Sequence, residues 1–161
     1  MAAEVTWPSW RLLALDVGEV RIGLAVSDPS GTVVTPLRVI RRRPQAQAVA
    51  QIAAAIVEEE AVGVVVGLPL SLSGAHSDQT RATEAFAALL AAQVSVPLVT
   101  WDERYTTTEA ERILRERGVR RDRWREQIDA VAAGVILQDY LDAHISPVVP
   151  PPPDSDPTNH H

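Results

Sequence analysis

Acidic residues at three separate points of the sequence stand beside apolar segments, and they are the first candidates for chemistry. Asp16 comes near the end of one apolar run, while Asp102 and Glu103 directly follow another. Asp129 is surrounded by apolar residues on most faces of a segment with helical spacing. Because an unpaired charge is costly in apolar surroundings, each carboxylate is expected to meet a cation or a hydrogen-bond donor.

The types of these residues favour a hard divalent cation. The sequence has no cysteine, and its four histidines show no metal-ligand spacing, which argues against zinc. Carboxylate oxygens suit Mg²⁺ or Mn²⁺, and two such ions roughly 3.5–4 Å apart can activate water and stabilise the leaving oxygen of a phosphodiester. Asp16, Glu103 and Asp129 would therefore suffice for phosphodiester hydrolysis. Whether Asp102 also binds the metal stays open.

Each carboxylate also has an ordinary structural explanation. Asp16 can be a solvated strand end or a turn residue that makes a local hydrogen bond. Asp102 and Glu103 can simply begin a polar loop. Asp129 can be a residue of the first helical turn that interacts with the helix dipole. The sequence alone leaves these alternatives open beside the catalytic one.

The basic residues are clustered, although the net charge of −6 does not favour a general binder of nucleic acid. All 15 are arginines; one cluster occupies residues 38–43, and the stretch 104–125 holds eight arginines against four acids. The segment RRDRWR, residues 120–125, could hold a phosphate backbone and stack a base on its tryptophan. The alternative is a solvated loop whose tryptophan lies in the core. The candidates for substrate contact are Arg21, Arg104, Arg120, Arg121 and Trp124.

The loop GLPLSLSG, residues 67–74, follows a predicted strand and carries glycines and serines. It lacks the lysine of a nucleotide-binding P-loop. We therefore interpret it as a loop on the substrate side or as a plain connection.

The hydrophobic patterns that position these residues predict an α/β domain. Three short apolar runs open the protein as antiparallel strands, with a tight turn near Gly18 and an irregularity or edge position at Pro36. Helical and strand patterns then alternate, which implies parallel crossovers. The predicted strands are 11–17, 21–28, 32–40, 62–69 and 97–103, and the predicted helices are 45–60, 77–93, a helix from Thr106 that stops at Gly118, and 127–143.

The length of 161 residues and the 46% hydrophobic content fit one domain with one core. We divide the chain into an N-terminal extension at 1–10, a folded domain at 11–144 and a proline-rich tail at 145–161 that is disordered or extended. The start of the chain lacks the pattern of a secretory signal, and no apolar stretch reaches the length of a membrane span. We expect a cytoplasmic protein.

Four segments in this order together resemble one known family. They are LALDVGEVRIGLAVSD, VVVGLPLSLSG, WDERYTTTEAER and IDAVAAGVILQDYL. The chain is similar over residues 11–142 to the YqgF family, also called RuvX, of Holliday junction resolvases and pre-ribosomal RNA nucleases. Four motifs in order are far more specific than any one of them.

The resemblance implies a ribonuclease H-like fold, with a mixed five-stranded sheet of three antiparallel and then parallel strands flanked by helices. It also implies a divalent-metal site, with Mg²⁺ or Mn²⁺ held by Asp16, Glu103 and Asp129. The implied activity is cleavage of a phosphodiester bond. RNA is favoured as substrate, because cutting a four-way DNA junction needs two active sites held by a dimer and the sequence specifies no dimer interface. A pre-ribosomal particle is a candidate partner. A binding protein without catalytic activity is the remaining alternative, and the chain could be a monomer or a homodimer.

Overall fold

The computed structural model describes residues 5–69, 77–103 and 106–145. Within this part the chain forms five β-strands, four α-helices and a short 3₁₀ turn at Arg121–Arg123. None of the described helices combines the length and apolar character that a membrane crossing requires. The elements are β1 (Leu12–Val17), β2 (Arg21–Ser27), β3 (Val34–Arg41), α1 (Gln45–Glu58), β4 (Gly63–Pro69), α2 (Asp78–Gln93), β5 (Leu98–Glu103), α3 (Thr106–Glu116) and α4 (Trp124–His144).

The strands form one mixed sheet with the order β3-β2-β1-β4-β5. The first three strands are antiparallel neighbours, whereas β4 pairs parallel to β1 and β5 pairs parallel to β4. This is the predicted α/β, ribonuclease H-like arrangement, and the predicted element order is confirmed. β1 lies at the centre of the sheet, so its residues contact both halves of the fold.

The alternation of side chains along β1 divides the core between the two faces of the sheet. Leu13, Leu15 and Val17 join the core beneath α1 and α2. Leu12 and Ala14 belong to the opposite core, which α4 covers. By the same alternation, Asp16 faces α4.

Local sequence explains where several elements begin, end or bend. The backbone of Gly118 adopts a positive φ of 71° just after α3, as a helix-stop glycine does. Pro36 lies on an edge strand next to an irregularity in the pairing of β2 with β3, as predicted. Helix α4 begins three residues before its predicted start, because the 3₁₀ turn leads directly into it.

The buried hydroxyl of Ser27 ties the first strand to the N-terminal segment. Its Oγ accepts a hydrogen bond of 3.0 Å from the backbone N–H of Leu12 and donates one to the backbone carbonyl of Trp10. Ser27 has no exposed surface, so water cannot replace these bonds. The hydroxyl satisfies backbone groups where β1 begins.

Replacing Ser27 by alanine is therefore expected to lower the free energy of unfolding by about 1–3 kcal/mol, since buried backbone groups lose their partner. Chemical denaturation of Ser27→Ala and wild type measures the difference. Ser95→Ala, at an exposed turn position, should stay within about 0.5 kcal/mol of wild type. Equal losses in both variants would contradict this role of the Ser27 hydroxyl.

Candidate active site

The hairpin between β1 and β2 presents the first acidic residue. The N–H of Gly18 donates a 2.8 Å hydrogen bond to the carbonyl of Arg21, which closes the predicted tight turn. In the antiparallel register, Asp16 lies directly opposite Gly23. Directly opposed residues share a face of the sheet, so the bare Cα of Gly23 stands next to the Asp16 side chain.

Gly23 allows α4 to approach the sheet at this point. A Cβ atom built on Gly23 would lie 1.8 Å from the backbone oxygen of Asp129 and 2.7 Å from the backbone nitrogen of Ala130. Only glycine leaves room for this contact. The second turn of α4 therefore rests on β2 beside Asp16, which brings Asp129 to the same place. Gly23 is not among the predicted site residues, although a glycine inside an apolar strand is a signal of close backbone approach.

The charges of Asp16 and Asp129 oppose each other. Burial, and secondly the negative charge of Asp129, raise the pKa of Asp16 to about 7. The guanidinium of Arg21 forms an ion pair with Asp129, in which Nε lies 2.8 Å from Oδ2. The pair is thus neutralised only in part, and a further cation between the carboxylates would be stabilised.

Glu103 lies on the same face of the sheet, at the carboxyl end of β5. Trp101, two residues earlier, packs edge-to-face on Tyr140 of α4 with ring centroids 5.4 Å apart. Alternation along the strand therefore directs Glu103 toward α4 and Asp102 toward the other face. The Oε2 atom of Glu103 is buried, whereas Asp102 is exposed.

The structure brings two of the three predicted metal ligands together, and the third lies on a strand two positions away in the sheet. The negative charge of Asp129 acts on Asp16, while β4 separates β1 from the strand that carries Glu103. In the described ranges, no three acidic or histidine side chains stand close enough together to form a complete metal site. The donors nevertheless fit a hard divalent cation, because they are carboxylates, partly buried and mutually repelling.

The predicted substrate contacts are distributed around this site. Arg21 pairs with Asp129, and Arg120 is exposed and pairs with Asp122 at 3.2 Å. The guanidinium of Arg121 lies 5.2 Å from the centroid of the Trp124 ring. Arg104 and residues 70–74 of the glycine- and serine-containing loop lie outside the described residues.

Trp124 lies in the small core between α3 and α4 rather than on the surface. Only 9% of the residue is exposed, and its indole N–H donates a 2.9 Å hydrogen bond to the carbonyl of Val119. This placement matches the alternative prediction of a tryptophan in the core. Stacking of Trp124 on a base stays a prediction.

The arginine cluster at residues 38–43 borders the hairpin. Arg41 stands opposite Arg21 in the β2–β3 register, and the side chain of Arg42 donates a 2.9 Å hydrogen bond to the carbonyl of Gly18. Arg41 and Arg43 are exposed. These cations therefore lie at the end of the sheet that carries Asp16.

A family model described as "RuvX: Holliday junction resolvase" matches residues 10–143. The chain belongs to the RuvX family. This confirms the resemblance that the four sequence motifs indicated, and the match includes all three predicted metal ligands of this RuvX member.

Several curated relatives are close in sequence and length. The RuvX chain is 47% identical over 136 residues to a protein of Chloroflexus aggregans named "Putative pre-16S rRNA nuclease", a match that covers 84% of this chain and 96% of that protein. It is 45% identical over 132 residues to a protein of the same name from Anaeromyxobacter sp., covering 82% and 96%.

Solved structures share the fold at low sequence identity. RuvC of T. thermophilus in complex with a Holliday junction substrate has a TM-score of 0.52 and 16% identity, with 84% of this chain and 95% of that chain covered. The Fowlpox virus resolvase, solved with Holliday junction DNA, also has a TM-score of 0.52, at 8% identity and coverages of 84% and 99%. These neighbours confirm the ribonuclease H-like fold.

The raised pKa of Asp16 predicts a specific dependence of stability on pH. Between about pH 4 and pH 7 the folded protein holds a proton on Asp16 that the unfolded chain has lost, so this residue makes stability fall as pH rises. In Asp16→Asn this contribution disappears. The unfolding free energy of the variant minus that of wild type should therefore rise by roughly 2–4 kcal/mol from pH 5 to pH 7.5.

Denaturant titrations at both pH values, in the presence of EDTA, measure this difference. Asp102→Asn, which changes an exposed carboxylate at the same edge, serves as the control and should follow the wild-type curve. If the unfolding free energies of wild type and Asp16→Asn change equally between the two pH values, the pKa of Asp16 is not raised.

The close approach at Gly23 predicts that a single methyl group displaces α4. Gly23→Ala is expected to lower the unfolding free energy by about 1–3 kcal/mol and to bring the pKa of Asp16 closer to its ordinary value, because Asp129 moves away. Carbon-13 NMR titration of the Asp16 carboxyl measures the pKa. Gly134→Ala is the matched control, since its Cβ would meet only ordinary contacts of 3.6 Å and longer. An unchanged pKa with unchanged stability would contradict the proposed contact.

Proposed function

We propose that this RuvX protein is a divalent-metal-dependent nuclease that hydrolyses phosphodiester bonds in RNA, most naturally the precursor of the small-subunit ribosomal RNA, in the cytoplasm. The observation that carries the proposal is the meeting of Asp16 and Asp129 at the carboxyl end of the central strand. Two carboxylates that are held close together lower the stability of the fold, because they repel each other. A cation site would explain why both are present.

Asp16, Glu103 and Asp129 are the residues that would hold Mg²⁺ or Mn²⁺. When bound, one or two such ions would supply an activated water and stabilisation of the leaving oxygen. Asp16 and Asp129 supply their oxygens from opposite layers, the sheet and the helix. Arg21 holds Asp129 in position and balances part of its charge. Loading of the metal would therefore require Asp129 to share or exchange this guanidinium.

The two arginine clusters would hold the phosphate backbone on either side of the carboxylates. Arg41 and Arg43 border the β1–β2 hairpin, and exposed arginines precede Asp129 at the start of α4. The register of β2 with β3 and the contact of Gly23 with Asp129 bring both clusters to the same end of the sheet. The net charge of −6 does not prevent binding of the phosphate backbone, because these cations act locally. The arginines that precede Asp129 are Arg120, Arg121, Arg123 and Arg125.

The competing activity is resolution of four-way DNA junctions, which the family description names. We favour RNA because the curated relatives at 44–47% identity carry the name of a pre-16S rRNA nuclease. A resolvase must also hold two active sites at a fixed separation, which requires a suitable dimer. The third possibility is a regulator that binds nucleic acid without cutting it; the intact set of Asp16, Glu103 and Asp129 argues against it.

Cleavage assays with the purified protein separate these activities. Labelled single-stranded RNA, single-stranded DNA and a four-way DNA junction are incubated with Mg²⁺, Mn²⁺ or EDTA. We expect metal-dependent cutting of RNA that falls by at least about 100-fold in Asp16→Asn, since even the outer partners of a metal are worth 10–100-fold. RNA binding in EDTA should remain within a few-fold of wild type.

Asp102→Asn and Glu103→Gln provide the internal comparison, because the two residues are adjacent and face opposite sides of the sheet. Glu103→Gln should lose activity, and Asp102→Asn should retain it. Symmetric cutting of the junction alone would favour the resolvase. If nothing is cut while RNA is still bound, and neutralising the arginine clusters removes that binding, the protein is a binding module. Full cleavage of RNA by Asp16→Asn would overturn the proposed site.

A further inference from the structure

An aromatic groove lies at the opposite end of α4 from the acidic site. It is a concave space of about 670 Å³, bordered by the N-terminal segment, the edge strand β5 and the last turns of α4. This volume is in the range of pockets that bind small ligands or short peptide segments. Five of the residues that line it have aromatic rings: Trp7, Trp10, Trp101, Tyr140 and His144.

Contacts among these rings make the groove a preformed surface. Trp7 occupies the space above Gly63, where a Cβ atom would lie 1.9 Å from its ring, and its indole N–H donates a 3.0 Å hydrogen bond to the Tyr140 hydroxyl. The rings of Tyr140 and His144 are stacked with centroids 4.0 Å apart. The indole N–H of Trp101 donates to Asp139 at 2.9 Å. Binding would therefore cost little ordering of the protein.

Trp10 differs from its neighbours because its hydrogen-bond donor is available. Its indole N–H forms no hydrogen bond with any residue in the described ranges, whereas those of Trp7 and Trp101 are both used. An indole N–H can only donate. The residues that line the groove therefore carry apolar rings and one indole N–H without a partner among the described residues, which suits an occupant that supplies an acceptor.

The chain itself leaves the described structure beside Trp10. Helix α4 ends at His144, and Ile145 packs against Gly31 together with Trp10. A Cβ atom on Gly31 would lie 2.5 Å from Cδ1 of Ile145 and 2.9 Å from Cβ of Trp10. The next residues in the sequence are Ser146 and then PVVPPPP at 147–153, all outside the described residues.

The chemistry of this segment matches the groove. Proline-rich segments favour the polyproline II conformation, which leaves every carbonyl free to accept a hydrogen bond, and they bind to aromatic-lined grooves. The segment carries no charge, and no arginine lines the groove. A phosphate-bearing strand would instead meet Asp139, which lies next to Trp101. This charge distribution favours an uncharged peptide over a nucleic acid.

The segment also has the necessary reach. Seven residues in polyproline II conformation span roughly 22 Å at about 3.1 Å each. The part of β5 that lines the groove, residues 98–101, spans about 13 Å at 3.3 Å per residue. Ile145 anchors the segment next to the groove. Binding is therefore intramolecular, and the high effective concentration of the segment favours it.

We propose that residues 147–153 of the same chain bind in the aromatic groove, with a proline-segment carbonyl accepting the Trp10 indole N–H. The bound segment covers the apolar side of β5, which lies at the edge of the sheet. Covering an edge strand protects it from pairing with other chains. The groove is thus an intramolecular docking site, separate from the acidic site.

The indole N–H signals of the four tryptophans test this directly by NMR of the full chain. Serine substitutions at the prolines of the segment should shift the Trp10 and Trp101 signals, while Trp124, in the core between α3 and α4, keeps its position. The substituted prolines are Pro147, Pro150, Pro151, Pro152 and Pro153.

Asp154→Asn together with Asp156→Asn is the matched control, because it changes the same tail outside the proline run and should leave all four signals in place. Adding a peptide of residues 146–156 to the serine-substituted protein should restore the wild-type Trp10 signal. The proposal is overturned if Trp10 and Trp101 do not shift, or if the peptide has no effect. It is also overturned if the wild-type signals depend on protein concentration, since the occupant would then come from a second copy.

Discussion

The contact between the backbone of α4 and Gly23 is the constraint on which the rest of the structure depends. Glycine at this position brings the Asp129 carbonyl to a distance that any side chain would prevent. Gly67 allows a second close approach, because its missing Cβ would lie 2.5 Å from Ile136 of the same helix. These contacts press the helix onto the sheet and define the core between α4 and the sheet. Backbone packing therefore sets the place of the Asp129 main chain, and the ion pair with Arg21 holds its side chain.

That packing imposes an electrostatic cost at the site. Asp16 is held partly buried beside a second carboxylate, and Arg21 compensates only one side of the pair. An arrangement of this kind reduces the stability of the folded protein, and in the proposed function the same repulsion would be relieved when a cation binds. Tight helix packing supplies the energy that holds the two charges together.

The element order, the mixed sheet and the division of acids among β1, β5 and α4 could be predicted from the sequence, because hydrophobic periodicity and strand ends are local properties. The face of Glu103 also follows from alternation once Trp101 is known to face the helix. Other features depend on contacts between distant segments and could not be read locally. The pairing of Arg21 with Asp129 joins residues 108 positions apart. The burial of Trp124 depends on how α3 packs against α4. The early start of α4 follows from a 3₁₀ turn whose charged residues show no apolar period.

The order of the elements along the chain determines when the acidic site can exist. The antiparallel hairpins of β1, β2 and β3 join neighbouring segments, and they can form while the polypeptide is still being made. Asp129, in contrast, belongs to the last helix, and it reaches Asp16 only after that helix has left the ribosome and docked on Gly23. An incomplete nascent chain therefore carries one carboxylate of the pair without the other. The proposed nuclease site would in this way stay incomplete on the ribosome until α4 has been made and has docked on the sheet.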